Sequence, residues 1–253
     1  MKILKNKIIS AKKNILDVCF AAQEGHIPSS FSVLNILNVL IKKNFIFKKK
    51  IYLNNFILSK GHSAIGYYAI LNQYGFISDK NLKKFATFNS KLGGHPKNNF
   101  KHYITASTGS LGHGLPIVAG MAFTKINKKY FVLLGDQECN EGTLWETLLL
   151  CSHHKLNNLT IIIDRNYSRE EALSLGKLEK KLRIFSKSVF VVNGHNEKDI
   201  FKILKKKTTE YKIIIAKTIK GYGIKEMENS NEWHHKFPKN INELEEFKNR
   251  IYS

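Results

Sequence analysis

Four short apolar runs constrain this chain more than anything else in it: "YFVLL" at 130–134, "LTIIID" at 159–164, "VFVV" at 189–192 and "KIIIAKT" at 212–218. None alternates apolar with polar as a half-exposed strand does, so each predicts a strand buried on both faces. The segments between them, 141–155, near 177–186 and near 197–206, read as helices. Strands and helices in that alternation specify an α/β fold, a parallel β-sheet flanked by helices on both faces. Upstream, Ile8, Ile15, Val18, Cys19 and Ala22 mark one face of a helix over residues 3–23. "EGHIPSS" reads as a loop leading to a second helix from about Ser32, with that serine as its cap. A basic connector, the run "FILS" ending at "KGH", and a helix through "AIGYYAIL" follow. Residues 87–114 have no periodicity and many Gly, Ser and His, and a helix from about Leu115 to Thr124 leads into the strand at 130. No repeat or Pro/Gly/Ser-rich linker divides the sequence, which predicts a single domain over 1–253.

In parallel sheets ligands collect beyond the carboxyl ends of the strands. There the sequence places Asp136, after Gly135, and Asn166, in "IIIDRNYS". The spacing between them leaves room for one crossover helix and a return to a neighbouring strand, so both can stand on one sheet edge. A carboxylate and an amide carbonyl are hard oxygens that suit Mg²⁺ or Ca²⁺ better than zinc, and Mg²⁺ held by few protein oxygens shares its other positions with phosphate and water. Two roles stand for the pair from spacing alone: ligands of a metal-bridged diphosphate, or a helix cap and a turn residue. "STGSLGHG" and "KTIKGYG" add glycines suited to close backbone approach or positive φ. No GK[ST] completes a Walker A loop, and the Rossmann fingerprint is missing from its usual place after a first strand.

Of ten histidines, His26 in "EGHIP", His62 in "SKGHS", His95 in "GGHP" and His234 in "EWHHKFP" share small-residue loop settings, as a proton-managing cleft requires. His113 lies inside the glycine loop; His102, His153, His154, His195 and His235 are expected to be ordinary surface or buried residues. The charge is lopsided, 41 Lys+Arg against 20 Asp+Glu for a formal +21. Without a zinc-finger or RNP-like pattern, and with the lysines scattered, that charge predicts solvated surfaces and an attraction for anionic substrates rather than a nucleic-acid partner. Cys19, Cys139 and Cys151 form no CxxC pair, and no apolar run approaches the roughly 18 residues of a membrane span. A cytoplasmic protein without membrane contact is expected.

The motifs "EGHIPSSFSVLNIL", "FILSKGHSAIGYYAIL", "GGHP", "TGSLGHGLPIVAGMA", "GDQECNEGTLWE", "HHKLNNLTIIIDRN", "VVNGHN", "IIIAKTIKGYG" and "WHHKFP" stand in the order found in the amino-terminal half of transketolases. Over residues 8–240 the chain most resembles the split, two-subunit transketolases, in which the thiamine-diphosphate-binding half is a separate chain. The resemblance implies the thiamine-diphosphate-binding fold, with the pyrimidine-binding domain on another subunit. It implies Mg²⁺ or Ca²⁺ held by Asp136, Asn166 and the backbone carbonyl of Ser168. Gly135, Asp136, Gln137, Asn166, His62, Gly109 and Leu111 would line the cofactor. His26, His62, His95 and His234 would act on a sugar substrate, and Glu141 and Glu146 would link the paired cofactor sites. A dimer of heterodimers, and no turnover by the isolated chain, are expected.

Two positions depart from the family pattern. Gln137 stands where the family has glycine: a positive φ there would cost about 1–3 kcal/mol, whereas a donated side-chain amide would keep the site at altered affinity. Tyr167 stands where the family often has glycine. The competing functions are a related thiamine diphosphate enzyme acting on a specialised sugar and a non-catalytic partner subunit.

Overall fold

The computed structural model describes residues 2–49, 51–167 and 173–251. Helices α1 (Lys2–Ala22) and α2 (Ile27–Lys42) precede a small hairpin, β1 (Phe47–Lys48) and β2 (Ile51–Tyr52). Then come β3 (Phe56–Leu58), α3 (Ala64–Gln73), α4 (Asp79–Leu82), α5 (Gly114–Thr124), β4 (Tyr130–Gly135) and α6 (Gly142–His153). The chain continues through β5 (Leu159–Arg165), α7 (Leu178–Arg183), β6 (Val189–Asn193), α8 (Glu197–Lys205), β7 (Lys212–Lys217) and α9 (Ile241–Arg250). The main sheet has five strands in the order β3-β4-β5-β7-β6, with every pair parallel.

Side-chain alternation sorts the strand residues between two cores. Phe131, Leu133, Ile162 and Ile214 point into the layer of α1, α2, α3, α8 and α9. Val132, Leu134, Ile161, Ile163, Ile213 and Ile215 point into the layer of α5, α6 and α7. Both faces are therefore covered, which is why these strands carry almost no polar residues.

The second helix begins earlier than its sequence suggests. Pro28 sits in its first turn, where a fixed φ near −65° suits a helix and a missing N–H costs nothing, and His26 occupies the cap position. Ser32 is thus inside the helix rather than capping it, and its hydroxyl bonds Ser29 O at 2.9 Å and Asp164 Oδ2 at 2.7 Å. The basic connector holds the β1–β2 hairpin, and α9 lies beyond the last expected element. Among the described residues no helix is long and apolar enough to cross a membrane.

Candidate functional site

Strands β4 and β5 run in register with Gly135 opposite Asp164, so the residues following each emerge side by side. Asp136 and Asn166 are 2% and 4% exposed. Asp136 Oδ2 accepts the Tyr167 N–H at 2.8 Å and lies 3.5 Å from Arg165 Nη1. Burial, with Asp164 close by, raises the Asp136 carboxyl to about 6. Asn166 donates its Nδ2 to Asp164 Oδ2 at 3.2 Å, which makes its amide oxygen the atom suited to a cation. A buried carboxylate oxygen beside an amide oxygen is a donor set for a hard divalent cation, and too small a set to hold one alone. Among the described residues no cluster of three or more His, Cys, Asp or Glu forms a metal centre. Ser168 lies outside the described residues.

Gln137 sits in a right-handed 3-10 turn, Asp136–Asn140, so the left-handed strain considered for it does not arise. Its Oε1 accepts from Asn140 Nδ2 at 3.2 Å. Tyr167 is the residue in the left-handed region, with φ +58, and its ring is covered by the Arg165 guanidinium at 4.5 Å.

Behind this edge lies a buried network that sequence reading did not find. Lys60 Nζ meets Asp164 Oδ2 at 2.5 Å, Ser32 Oγ at 3.0 Å and Ser29 O at 3.1 Å. The Thr218 hydroxyl bonds the other Asp164 oxygen. Nothing local marks Lys60 or Asp164, because their partners lie far along the chain, on α2 and beyond the ends of β3 and β7. Glu138 is the second omission: its carboxylate accepts from Gly135 N at 2.7 Å, Gly112 N at 3.1 Å and the Ser59 hydroxyl. It stands three residues after the Gly135 cap, at capping-box spacing, but glycine has no side chain to complete the box, so the sequence does not announce it.

The four loop histidines converge. Ring centroids lie 5.4 Å apart for His26 and His62, 6.4 Å for His26 and His95, and 5.2 Å for His26 and His234. His235, assigned no role from sequence, joins them at 4.6 Å from His26 and bonds Glu24 at 3.0 Å. His26 Nδ1 lies 2.9 Å from the His234 carbonyl, which can only accept, so Nδ1 carries the hydrogen and Nε2 is left basic. His234 Nδ1 lies 3.1 Å from the buried Lys220 Nζ, a donor, so a neutral His234 carries its hydrogen on Nε2. Burial, with Lys60 nearby, holds His62 well below 6.5, and burial likewise lowers His26. The cluster therefore offers a basic nitrogen on His26 and, from a neutral His234, a donating nitrogen on the neighbouring ring.

The glycine loop closes against these rings. Gly109 has φ +142, and a Cβ there would come within 2.9 Å of His95 Cδ2. A Cβ on Gly61, beside His62, would lie 2.9 Å from Gly109 Cα. Leu111 is 39% exposed, and Gly112 has φ +78 with the Glu141 side chain directly beneath it. Glu141 occupies the N-cap position of α6 and lies under Gly112 of the glycine loop, and Glu146 is exposed farther along α6. Two large grooves, of about 740 and 840 Å³, lie elsewhere, on either side of His195 and Tyr222. His195 fits the structural role expected for it, accepting from Ile219 N at 2.8 Å and stacking on Tyr222 at 3.7 Å.

A buried carboxylate beside an amide, a tightly closed glycine loop and converging histidines at the carboxyl edge of a parallel sheet mark a ligand-binding α/β enzyme domain. The chain belongs to the transketolase family, residues 4–251 matching the model described as "Transketolase, thiamine diphosphate binding domain". It is 34% identical over 243 residues to an apulose-4-phosphate transketolase subunit of Phocaeicola vulgatus, covering 90% of this chain and 86% of that one. The counterpart from Actinobacillus succinogenes is 33% identical, with 94% and 90% covered. Homo sapiens transketolase is 32% identical over 268 residues, and the match takes in 100% of this chain but 42% of the human one. The Campylobacter jejuni transketolase crystal structure superposes with a TM-score of 0.84 at 26% identity, covering 98% of this chain and 43% of that one. The chain thus spans less than half of those longer transketolases.

Proposed function

We propose that this chain is the thiamine-diphosphate-binding subunit of a two-subunit transketolase-type enzyme that transfers a two-carbon ketol unit between phosphorylated or activated sugars. The observation that carries this is the placing of Asp136 and Asn166 on adjacent strand ends, with Lys60 bridging from their buried support to the loop of His62. In this reading Asp136 and Asn166, with Ser168, hold Mg²⁺ or Ca²⁺ against a diphosphate. Gly135, Gly109, Leu111, His62 and Gln137 would line the cofactor. Bound thiamine diphosphate would supply the carbanion chemistry of the transfer. The protein's own part is to orient and to manage protons: His26 Nε2 accepts a hydroxyl proton of the sugar and His234 Nε2 donates to a developing alkoxide, with His62 and His95 completing the wall.

The relatives covered almost end to end are each named as one subunit of a transketolase, which supports a partner chain here; we assign the pyrimidine-binding domain to that partner and treat residues 1–253 as one domain. A dimer of such heterodimers is supported by the exposed apolar faces of α5 and α6, where Ile117, Phe123, Leu149 and Leu150 are 42–61% exposed. Glu141 and Glu146, at the foot of this face, would link the two sites. The formal charge of +21 favours sugar phosphates as a field effect. Three free, buried cysteines suit a reducing cytoplasm.

The test is calorimetric titration of thiamine diphosphate into the chain, alone and with its co-purified partner, in Mg²⁺ and in EDTA. Cation-dependent binding that Asp136→Ala abolishes is expected. If the complex binds nothing until Gln137→Gly restores it, the chain is a non-catalytic subunit.

A further inference from the structure

We propose that Glu138 is a positioning residue, whose buried carboxylate fixes the glycine loop 109–114 against the strand end that carries Asp136. This rests on the functional reading above, because it concerns how the diphosphate end of that site is built.

One carboxylate gathers three segments. Oε1 accepts from Gly112 N at 3.1 Å and from the Ser59 hydroxyl, and Oε2 accepts from Gly135 N at 2.7 Å. Ser59 follows β3 and precedes the Lys60–His62 turn, Gly112 lies in the loop before α5, and Gly135 ends β4. Glu138 is 1% exposed, so water cannot replace it as acceptor for any of the three donors. The loop is closely packed at two of its glycines. A Cβ on Gly112 would come within 2.8 Å of Glu141 Cβ, and one on Gly114 within 2.8 Å of Ser59 Cα.

The chemistry explains the residue type. Among the described residues three donors converge on Glu138, and a carboxylate offers two oxygens to accept them. A glutamine of the same shape turns an NH₂ against at least one of those donors. Because the Gly112 N–H is committed inward to Glu138, the loop faces a ligand with the backbone around Gly109 and Leu111. Glu138 touches neither ligand nor reacting atoms; it acts through the groups it places.

The experiment uses the full chain with its co-purified partner and compares wild type, Glu138→Gln and Ser59→Ala. Binding of thiamine diphosphate and of inorganic pyrophosphate, each with Mg²⁺, is measured by calorimetry, alongside melting temperature and steady-state kinetics. Glu138→Gln should weaken both ligands about 10-fold or more and raise the KM for thiamine diphosphate in step. Its kcat at saturating cofactor should stay within about twofold of wild type. Ser59→Ala, which removes one donor of three, should shift both affinities the same way by about 2- to 4-fold. A folded Glu138→Gln that melts lower but binds both ligands as wild type does overturns the proposal, as does a fall in kcat with KM unchanged. Where Glu138→Gln does not fold, unchanged affinities in Ser59→Ala overturn it. A wild-type complex that binds neither ligand removes the cofactor reading itself, and this inference with it.

Discussion

Asp164 and Asp136 are buried acids at neighbouring strand ends, and they are treated in opposite ways. Asp164 is fully buried and accepts from Lys60, Ser32, Thr218 and Asn166, which together use both of its oxygens. Asp136 takes the Tyr167 N–H and the Arg165 contact on a single oxygen, and its carboxyl is raised to about 6. One acid is neutralised by its own fold. The other is held in place with its charge poorly compensated, which suits a residue whose counter-charge arrives with a ligand. Burial alone therefore does not distinguish the two acids; the number and direction of their donors does.

The largest expected effect is at Asp164. Replacing it with alanine leaves the Lys60 ammonium buried without its carboxylate, and chemical denaturation should show a loss of about 3–5 kcal/mol. Asp136→Asn should do the reverse of this. Cation-dependent thiamine diphosphate binding should fall about 100-fold or more, while stability at pH 7 holds or rises. The sign follows from the raised carboxyl: folding binds a proton between 3.8 and about 6, and that contribution is lost as pH rises through the upper value. An Asp136→Asn protein that loses stability as heavily as Asp164→Ala would erase the distinction.

Acid provides a finer probe. His62 and His26 are lowered by burial, so below 6.5 the unfolded chain binds protons that the fold resists. Stability should fall with pH from about 6.5 downward, by up to about 1.4 kcal/mol per pH unit per histidine. Asp136 contributes with the opposite sign, so denaturation curves are best compared in the Asp136→Asn background, with His62→Asn expected to flatten the slope. Gln137→Gly should have the smallest effect, a stability loss of about 0.5–1 kcal/mol from backbone freedom. A large gain in stability there would mean that Gln137 is strained after all.

The same contrast describes what the sequence made legible. Asp136 and Asn166 could be found because each stands within two residues of the end of an expected strand, 130–134 and 159–164, a local signal, whereas Asp164 closes the second of those runs. The four histidines could be found because each stands among glycines and small residues. Asp164, Lys60 and Lys220 could not, because each looks like an ordinary charge until β3, β5 and β7 are brought together. Ser32 was visible as a polar residue opening an apolar helix, but its hydroxyl answers Asp164 rather than a helix end. The helix starts at Ile27 because Pro28 favours it, a local cue outweighed by the loop-like "GHIPSS". The β1–β2 hairpin has two residues per strand, too few for any period to register.

Lys60 and Asp164 are 104 positions apart. A ribosome adding roughly 5–20 residues per second takes about 5–20 s to travel that distance. Through that interval the amino-terminal helices are already outside, yet the lysine that belongs beneath them has no anion and stays hydrated. The layer over β3 cannot close until β5 is made. The pair thus sets a time order on the nascent chain, in which the first half waits on the second and the edge beyond β4 and β5 forms late.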